Sequence, residues 1–485
     1  MTTASIPENR LFIGGEYVEP STDVSFETVN PATEEVLARV PEAGSEDVDH
    51  AVRAARGAFE GAWRKVSAAD RGKLLWRLAE LIEKNADELA DLETRDNGKP
   101  IFESRKIDLP SVVDNFQYFA GWASKIHGET IPVRGPYLNY TLREPLGVVG
   151  AIVPWNFPLS LAAWKLAPAL AAGNTVVLKP AEQTPLTALR LGGLAAEAGF
   201  PPGVVNVVTG TGPITGRALV DHPDVDKISF TGSTEVGKEI MRRAADSLKR
   251  VTLELGGKSP NVVFADADLE AAIRGAASGI FYGKGEVCAA GSRLLVQRGV
   301  HDEVVEKLVA RAKKLVPGDP LQPDTRMGAL VSREQRDKVL SYIESGREEG
   351  AQLRTGGGAG GPNGGKGFFV EPTVFDQVRN DMRIAREEIF GPVLAVIPFE
   401  TPEDAARIAN DTPYGLAAAV WTRDVGKAHR FAREIRAGTV WINAYNLYDS
   451  ASPFGGYKQS GYGRDLGMHA LEGYTQVKSV WVSLG

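Results

Sequence analysis

Early in the chain, from about Glu46 to Thr94, Ala and Leu recur among charged residues at three- and four-residue spacing, which predicts amphipathic helices packed on something larger. At Gly147 the pattern changes. VVGAIV from Val148, NTVVLK at 174–179, VVNVV at 204–208, DKISF at 226–230 and VTLEL at 251–255 are short β-branched runs that predict five strands. Between them LAAWKLAPALAAG and PLTALRLGGLAAEAG read as helices, each ending on a glycine suited to the left-handed residue after a helix. Strands alternating with such helices predict a parallel sheet covered on both faces, an architecture that binds nucleotides at the carboxyl ends of its strands.

A second α/β set is expected from Gly257 to Pro453, with strands at RLLVQ, FFVEPTVF, VLAVIPF, AAAVWT and GTVWIN. Two distant segments, about 126–143 and the tail from about 470 to 485, alternate polar and apolar residues and predict strands that pair with each other or with another subunit. The glycine-rich stretch 355–367 predicts a mobile surface loop. Leu146–Trp164 is uncharged and nearly long enough to span a bilayer, but Pro154 and Pro158 flank Asn156 within it. A strand, a loop and a helix therefore fit better than a membrane helix with unpaired backbone groups.

The length of 485 residues predicts two or three domains, and 43% hydrophobic with 24% charged residues excludes a disordered chain. A net charge of −7 makes a poor partner for nucleic acid or an anionic membrane surface. The start, MTTASIPENR, lacks the apolar core of a secretory signal, so a cytoplasmic location is expected. One cysteine excludes an internal disulfide and a thiolate cluster, leaving Cys288 as either a core thiol or a nucleophile. Six scattered histidines and the lack of a G-x-S-x-G elbow disfavour a metal site and a serine hydrolase.

Several motifs can be weighed on their residues. Gly356-x-Gly358-x-x-Gly361 has dinucleotide spacing, but Pro362 and a strand follow it where a helix is needed. Gly257-Lys258-Ser259 resembles the end of a phosphate loop, which requires glycine where Thr252 stands. Phe230–Gly237 is the better phosphate candidate: it follows a strand and opens a helix, Gly232 permits close backbone approach, and Ser233 or Thr234 can cap the helix or meet a phosphate. Lys179 and Glu182 follow another strand, where an acid can take ribose hydroxyls and repel a 2′-phosphate; a surface ion pair is the alternative. A thiol with a pKa of about 8.5 needs help from local dipoles or charge to act as a nucleophile. Helix placement of Cys288 would supply it.

Seven blocks in order resemble the aldehyde dehydrogenase superfamily: Pro154–Pro158, Lys179–Glu182, Phe230–Gly237, Leu253–Lys258, Phe281–Arg293, Glu387–Pro392 and Pro453–Lys458. The resemblance implies an α/β fold in three units. These are a parallel-sheet cofactor domain at 1–125 and 144–256, an α/β catalytic domain at 257–455, and a small β oligomerisation extension at 126–143 and 470–485, giving a homodimer or homotetramer. It implies that Cys288 attacks an aldehyde, that the Asn156 amide and the Cys288 N–H hold the oxyanion, and that Glu254 accepts the thiol proton and later activates water. It implies hydride transfer to NAD, with NADP tolerable beside Lys179. Lys179 and Glu182 would meet the adenosine ribose, Gly232 and Ser233 the pyrophosphate, Trp155 the nicotinamide end, and Glu388 and Phe390 the nicotinamide ribose. Phe157, Trp164, Tyr282, Val287, Ala289, Tyr448 and Phe454 would line the substrate tunnel. Their apolar and aromatic character points to aliphatic or aromatic aldehydes, with betaine aldehyde held by cation–π contact as the alternative. CoA-acylating and catalytically silent relatives are the other readings, and intact Cys288, Asn156 and Glu254 weigh against them. Two departures stand out: Gly283 and Glu286 replace residues that are often Asn and Gln, with Glu286 expected to point away from the thiol, and Met468 stands where many members carry a proton-relaying glutamate.

Overall fold

The five β-branched runs after Gly147 form the parallel core of an eight-stranded sheet. They run, in spatial order, Arg250–Glu254, Lys227–Thr231, Val148–Ile152, Thr175–Lys179 and Val205–Val207. This computed structural model describes residues 9–362 and 365–485. Most of the amino-terminal stretch MTTASIPENR (1–8) and part of the glycine-rich stretch (363–364) therefore lie outside the described residues. The sheet edges are antiparallel: Gly461–Tyr462 adds at one side, and Leu11–Ile13 with Glu16–Val18 at the other. Strands of two or three residues carry no readable period, so these edges were not expected from the pattern.

Helix Pro158–Ala172 is buried along nearly all its length because it is covered by protein on every side, which is why it shows no polar face. It ends at Gly173 (φ 97°), and helix Leu186–Ala198 ends at Gly199 (φ 92°), the left-handed residues expected of both glycines. Trp63 anchors the helical layer. It is fully buried, donates from Nε1 to the Asn174 carbonyl at 3.0 Å, and packs on Phe200. Trp63→Ala is expected to cost about 3–5 kcal/mol through the cavity it leaves. A thermal or denaturant midpoint that stays at the parental value contradicts this packing role.

The chain passes from Glu254 into a second sheet within five residues, 255–259. Its order is Gln352–Thr355, Thr373–Asp376, Val393–Phe399, Arg293–Gln297, Pro260–Val263, Ala417–Trp421 and Thr439–Ile442, parallel except for the first pair. The pattern missed Pro260–Val263, a central strand of four residues opened by a proline. It also overextended FFVEPTVF: only Thr373–Asp376 is a strand, since Pro372 has no N–H for the ladder, and Val370 makes a lone bridge to Ala359.

The two odd segments pair with each other. Tyr137–Pro145 lies antiparallel to Thr475–Ser483 over nine residue pairs, with Thr130–Ile131 on its other side. The strand thus extends past 143, and Leu142 on it, with Val477 and Trp481 on its partner strand, is exposed. Leu146–Trp164 is the expected strand, loop and buried helix. No helix among the described residues is long and apolar enough to cross a membrane.

Candidate active site

In the first sheet the strand order reverses between Val148–Ile152 and Lys227–Thr231, and a crevice opens where their carboxyl ends diverge. The first of these strands continues into Trp155 and Asn156, the second into Gly232 and Ser233, and their neighbour Arg250–Glu254 ends on Glu254. All five line a cavity of about 230 Å³ with Cys288, Glu388 and Phe390. A second cavity, of about 240 Å³, is lined by Phe157, Trp164, Tyr282, Val287, Tyr448 and Phe454, and again by Cys288. Cys288 therefore stands where the two cavities meet, half-buried and reachable from both sides.

Cys288 sits in a turn between helix Leu269–Phe281 and strand Arg293–Gln297, so the expected help from helix placement is corrected: no helix begins there. Burial, and then the carboxylates of Glu388 and Glu254, push the thiol up to about 12, against the smaller opposing pull of the Ala289 and Cys288 N–H groups. Gly283, Lys284 and Gly285 approach it in three successive left-handed conformations. A Cβ at Gly285 would come within 2.2 Å of the Gly391 carbonyl, so the turn requires glycine there. The Glu286 carboxylate does point away: it accepts from the Val331 N–H at 3.0 Å and pairs with Lys284.

Asn156 is buried and donates one amide hydrogen to the Glu286 carbonyl at 2.9 Å, which leaves its second hydrogen uncommitted. Glu254 is buried with Oε2 unpartnered. Burial raises its pKa well above the usual carboxylate range; Asp465 adds to the rise, and Lys165 and Arg464 oppose it. Asp465 lies in the same cavity and pairs with buried Lys165 at 3.2 Å. Met468 is half-exposed at the start of helix His469–Glu472 and outside the first cavity's lining, which holds Asp465 beside Glu254. Lys165 is the single charge in an otherwise apolar helix, a sequence signal of a paired buried cation.

The first cavity has the parts a dinucleotide needs. Ser233 caps helix Thr234–Ala244, its hydroxyl accepting from the Val236 N–H at 3.3 Å, while Thr231 Oγ1 is buried without a partner. Trp155 meets the Phe390 ring edge-on at 5.1 Å. Glu388 accepts from the Gly257 N–H at 3.0 Å, and a Cβ at Gly256 would strike its carboxylate at 2.2 Å. Lys179 and Glu182 lie outside this lining. They pair at 3.4 Å, with Lys179 buried at the end of its strand and Glu182 partly exposed, so the pair joins the strand end to the surface. In the second cavity Ala289 is corrected: it is fully buried and lines neither cavity, its carbonyl accepting from the Tyr445 hydroxyl at 2.8 Å. Tyr445 itself, with Asp108, Ser111 and Ser278, lines the tunnel in addition to the expected residues. Their signal is spatial: they come from separate elements with no shared motif.

Residues 17–480 match the model of the aldehyde dehydrogenase family. The mitochondrial aldehyde dehydrogenase of Rattus norvegicus is 53% identical over 98% of this chain and 92% of its own. An NAD+ complex structure of aldehyde dehydrogenase from Bacillus cereus is 54% identical, with a TM-score of 0.97, covering 99% of this chain and 97% of that one. Indole-3-acetaldehyde dehydrogenase of P. syringae, solved with NAD+ and IAA, is 50% identical with a TM-score of 0.97 over 98% and 97% of the two chains. The two cavities meeting at one thiol thus stand in a chain that belongs to the aldehyde dehydrogenase family.

Proposed function

We propose that the protein oxidises an aldehyde to a carboxylic acid with NAD, through a covalent intermediate on Cys288. The observation that carries this reading is the position of Cys288 at the junction of the two cavities. The aldehyde enters through the aromatic cavity, and Cys288 Sγ bonds to its carbonyl carbon while the thiol proton passes to Glu254. The oxyanion is held by the uncommitted Asn156 N–H and the Cys288 N–H. NAD, bound in the first cavity, supplies the hydride acceptor. Collapse of the tetrahedral adduct leaves a thioester on Cys288, which water hydrolyses with Glu254 as base. Asp465 and Lys165 set the field around Glu254 and offer its proton a way out.

Residues 1–125 with 144–256 act in this reading as the cofactor unit and 257–455 as the catalytic unit. The exposed apolar side chains of the three-stranded sheet support its use in forming a homodimer or homotetramer. A reaction resting on one free thiol suits the reducing cytoplasm. Glu182 favours NAD, and Lys179 beside it leaves NADP usable.

The tunnel favours apolar aldehydes. Trp164, Tyr448 and Phe454 form an aromatic cluster with ring separations of 5.6–6.3 Å. Hexanal and benzaldehyde are expected to exceed succinic semialdehyde in kcat/KM by at least about tenfold, because a second carboxylate finds no cation on the tunnel wall. The same cluster favours betaine aldehyde as a second reading. Steady-state rates on the four substrates decide between these readings, and a best rate with succinic semialdehyde refutes the apolar tunnel. Turnover without CoA separates the hydrolytic route from acyl transfer to CoA.

A further inference from the structure

Asn156 belongs to a ring of buried polar groups whose charged members, Lys284 and Glu286, take no part in the steps above. Lys284 adopts a left-handed conformation (φ 62°) between two glycines that do the same, a backbone that a long side chain rarely takes without partners to hold it. Its Nζ donates to Asn97 Oδ1 at 2.8 Å and to the Asn97 carbonyl at 3.0 Å. It also lies 2.7 Å from Glu286 Oε2, off the hydrogen-bonding axis, as an ion pair. Asn97 Nδ2 donates to the Trp155 carbonyl at 2.8 Å, and Asn156 Nδ2 donates to the Glu286 carbonyl at 2.9 Å. The path closes on itself through Asn97, Trp155, Asn156, Glu286 and Lys284. Asn97, Asn156, Lys284 and Glu286 are all at most 5% exposed.

Asn156 is thereby held at two points, by the backbone carbonyl preceding it and by its own amide. Both holds end on the residues of one ion pair: Lys284 fixes Asn97, which holds the Trp155 carbonyl, and Glu286 supplies the carbonyl that the Asn156 amide meets. Loss of either charge leaves the other ionised and buried, so the ring must relax to solvate or neutralise it.

We propose that Lys284 and Glu286 are positioning residues for Asn156, fixing its second amide N–H where the oxyanion forms; this rests on the reading of Asn156 as an oxyanion donor. Neither side chain touches the reacting atoms. Both act through the Glu286 carbonyl and through Asn97.

The test is steady-state oxidation of hexanal with NAD by the full chain, together with NAD affinity and thermal midpoints. Asn156→Ala is expected to lower kcat about 100-fold or more, as for loss of one oxyanion donor. Glu286→Gln and Lys284→Gln are each expected to lower kcat about tenfold or more, with aldehyde KM and NAD affinity within about threefold of the parent, because a misplaced amide costs transition-state binding alone. The double variant K284Q/E286Q, an uncharged pair able to hydrogen-bond internally and to Asn97, is expected to recover kcat to within about threefold of the parent. In the N156A background Glu286→Gln is expected to change kcat by less than about twofold, since both changes then remove the same interaction. Parental kcat in folded single variants overturns the proposal, as does a Glu286→Gln loss that persists undiminished in the N156A background. Parental kcat in Asn156→Ala instead overturns the oxyanion reading on which the proposal stands. If a single variant fails to fold, the double variant decides: recovered kcat supports the proposal, and a folded protein with kcat lost overturns it.

Discussion

Cys288→Ala is expected to abolish aldehyde oxidation, with kcat falling by at least about 10⁴-fold while NAD affinity stays at the parental value. No neighbouring side chain can replace the nucleophile, since Cys288 is the chain's one cysteine. The thiol is also held protonated. With burial and two carboxylates pushing its pKa up to about 12, the thiol stays protonated at neutral pH, so attack must be coupled to proton removal. Alkylation by iodoacetamide reads this directly, because one cysteine means one labelled site. Labelling of the free enzyme is expected to be slow at neutral pH and to keep rising with pH beyond the point where an ordinary thiol levels off. Glu388→Gln is expected to speed it at a given pH, since that carboxylate is the largest charge opposing the thiolate. Rapid labelling with a plateau below about pH 8, the signature of an unperturbed or activated thiol, contradicts this picture.

The sequence made some of this site legible and not the rest, for physical reasons. Strands buried on both faces, such as Val148–Ile152 and Thr175–Lys179, are continuous β-branched runs and were readable. Pro260–Val263 is equally buried, but its four residues follow a glycine pair and begin at proline, so no run stands out. Trp155, Asn156, Gly232, Ser233 and Glu254 fall at strand ends beside a topological switch, which ties sequence position to site position. Ala289 shows the limit of adjacency: its neighbour Cys288 faces the cavities, while Ala289 turns into the core beneath Tyr445. Nothing along the chain gives Asp465 a role, because its partner Lys165 is 300 residues away and only the fold brings the pair beside Glu254.

That pair governs the second large effect, at Glu254. A carboxyl raised by burial and by Asp465 is a base only when pH rises through its elevated pKa, so thioester hydrolysis is expected to climb with pH well above the range in which an ordinary carboxylate ionises. The sign follows from the neighbours. Asp465→Asn removes a negative charge that opposes ionisation of Glu254, so the rising limb is expected to move to lower pH; Lys165→Met removes a favourable positive charge and moves it to higher pH. Met468→Glu, on an exposed position, is expected to leave the limb in place. Glu254→Gln is expected to lower steady-state turnover by about 10²–10⁴-fold and to erase the limb. The first turnover survives more slowly, because solvent water can take the thiol proton, and it appears as a stoichiometric burst of reduced nicotinamide followed by near silence. Near-parental turnover without a burst in Glu254→Gln would remove Glu254 from the hydrolytic step. A pH limb that ignores both Asp465→Asn and Lys165→Met would show that the rising activity belongs to another group, the first candidate being the Cys288 thiol, whose ionised fraction climbs with pH all the way to its elevated pKa.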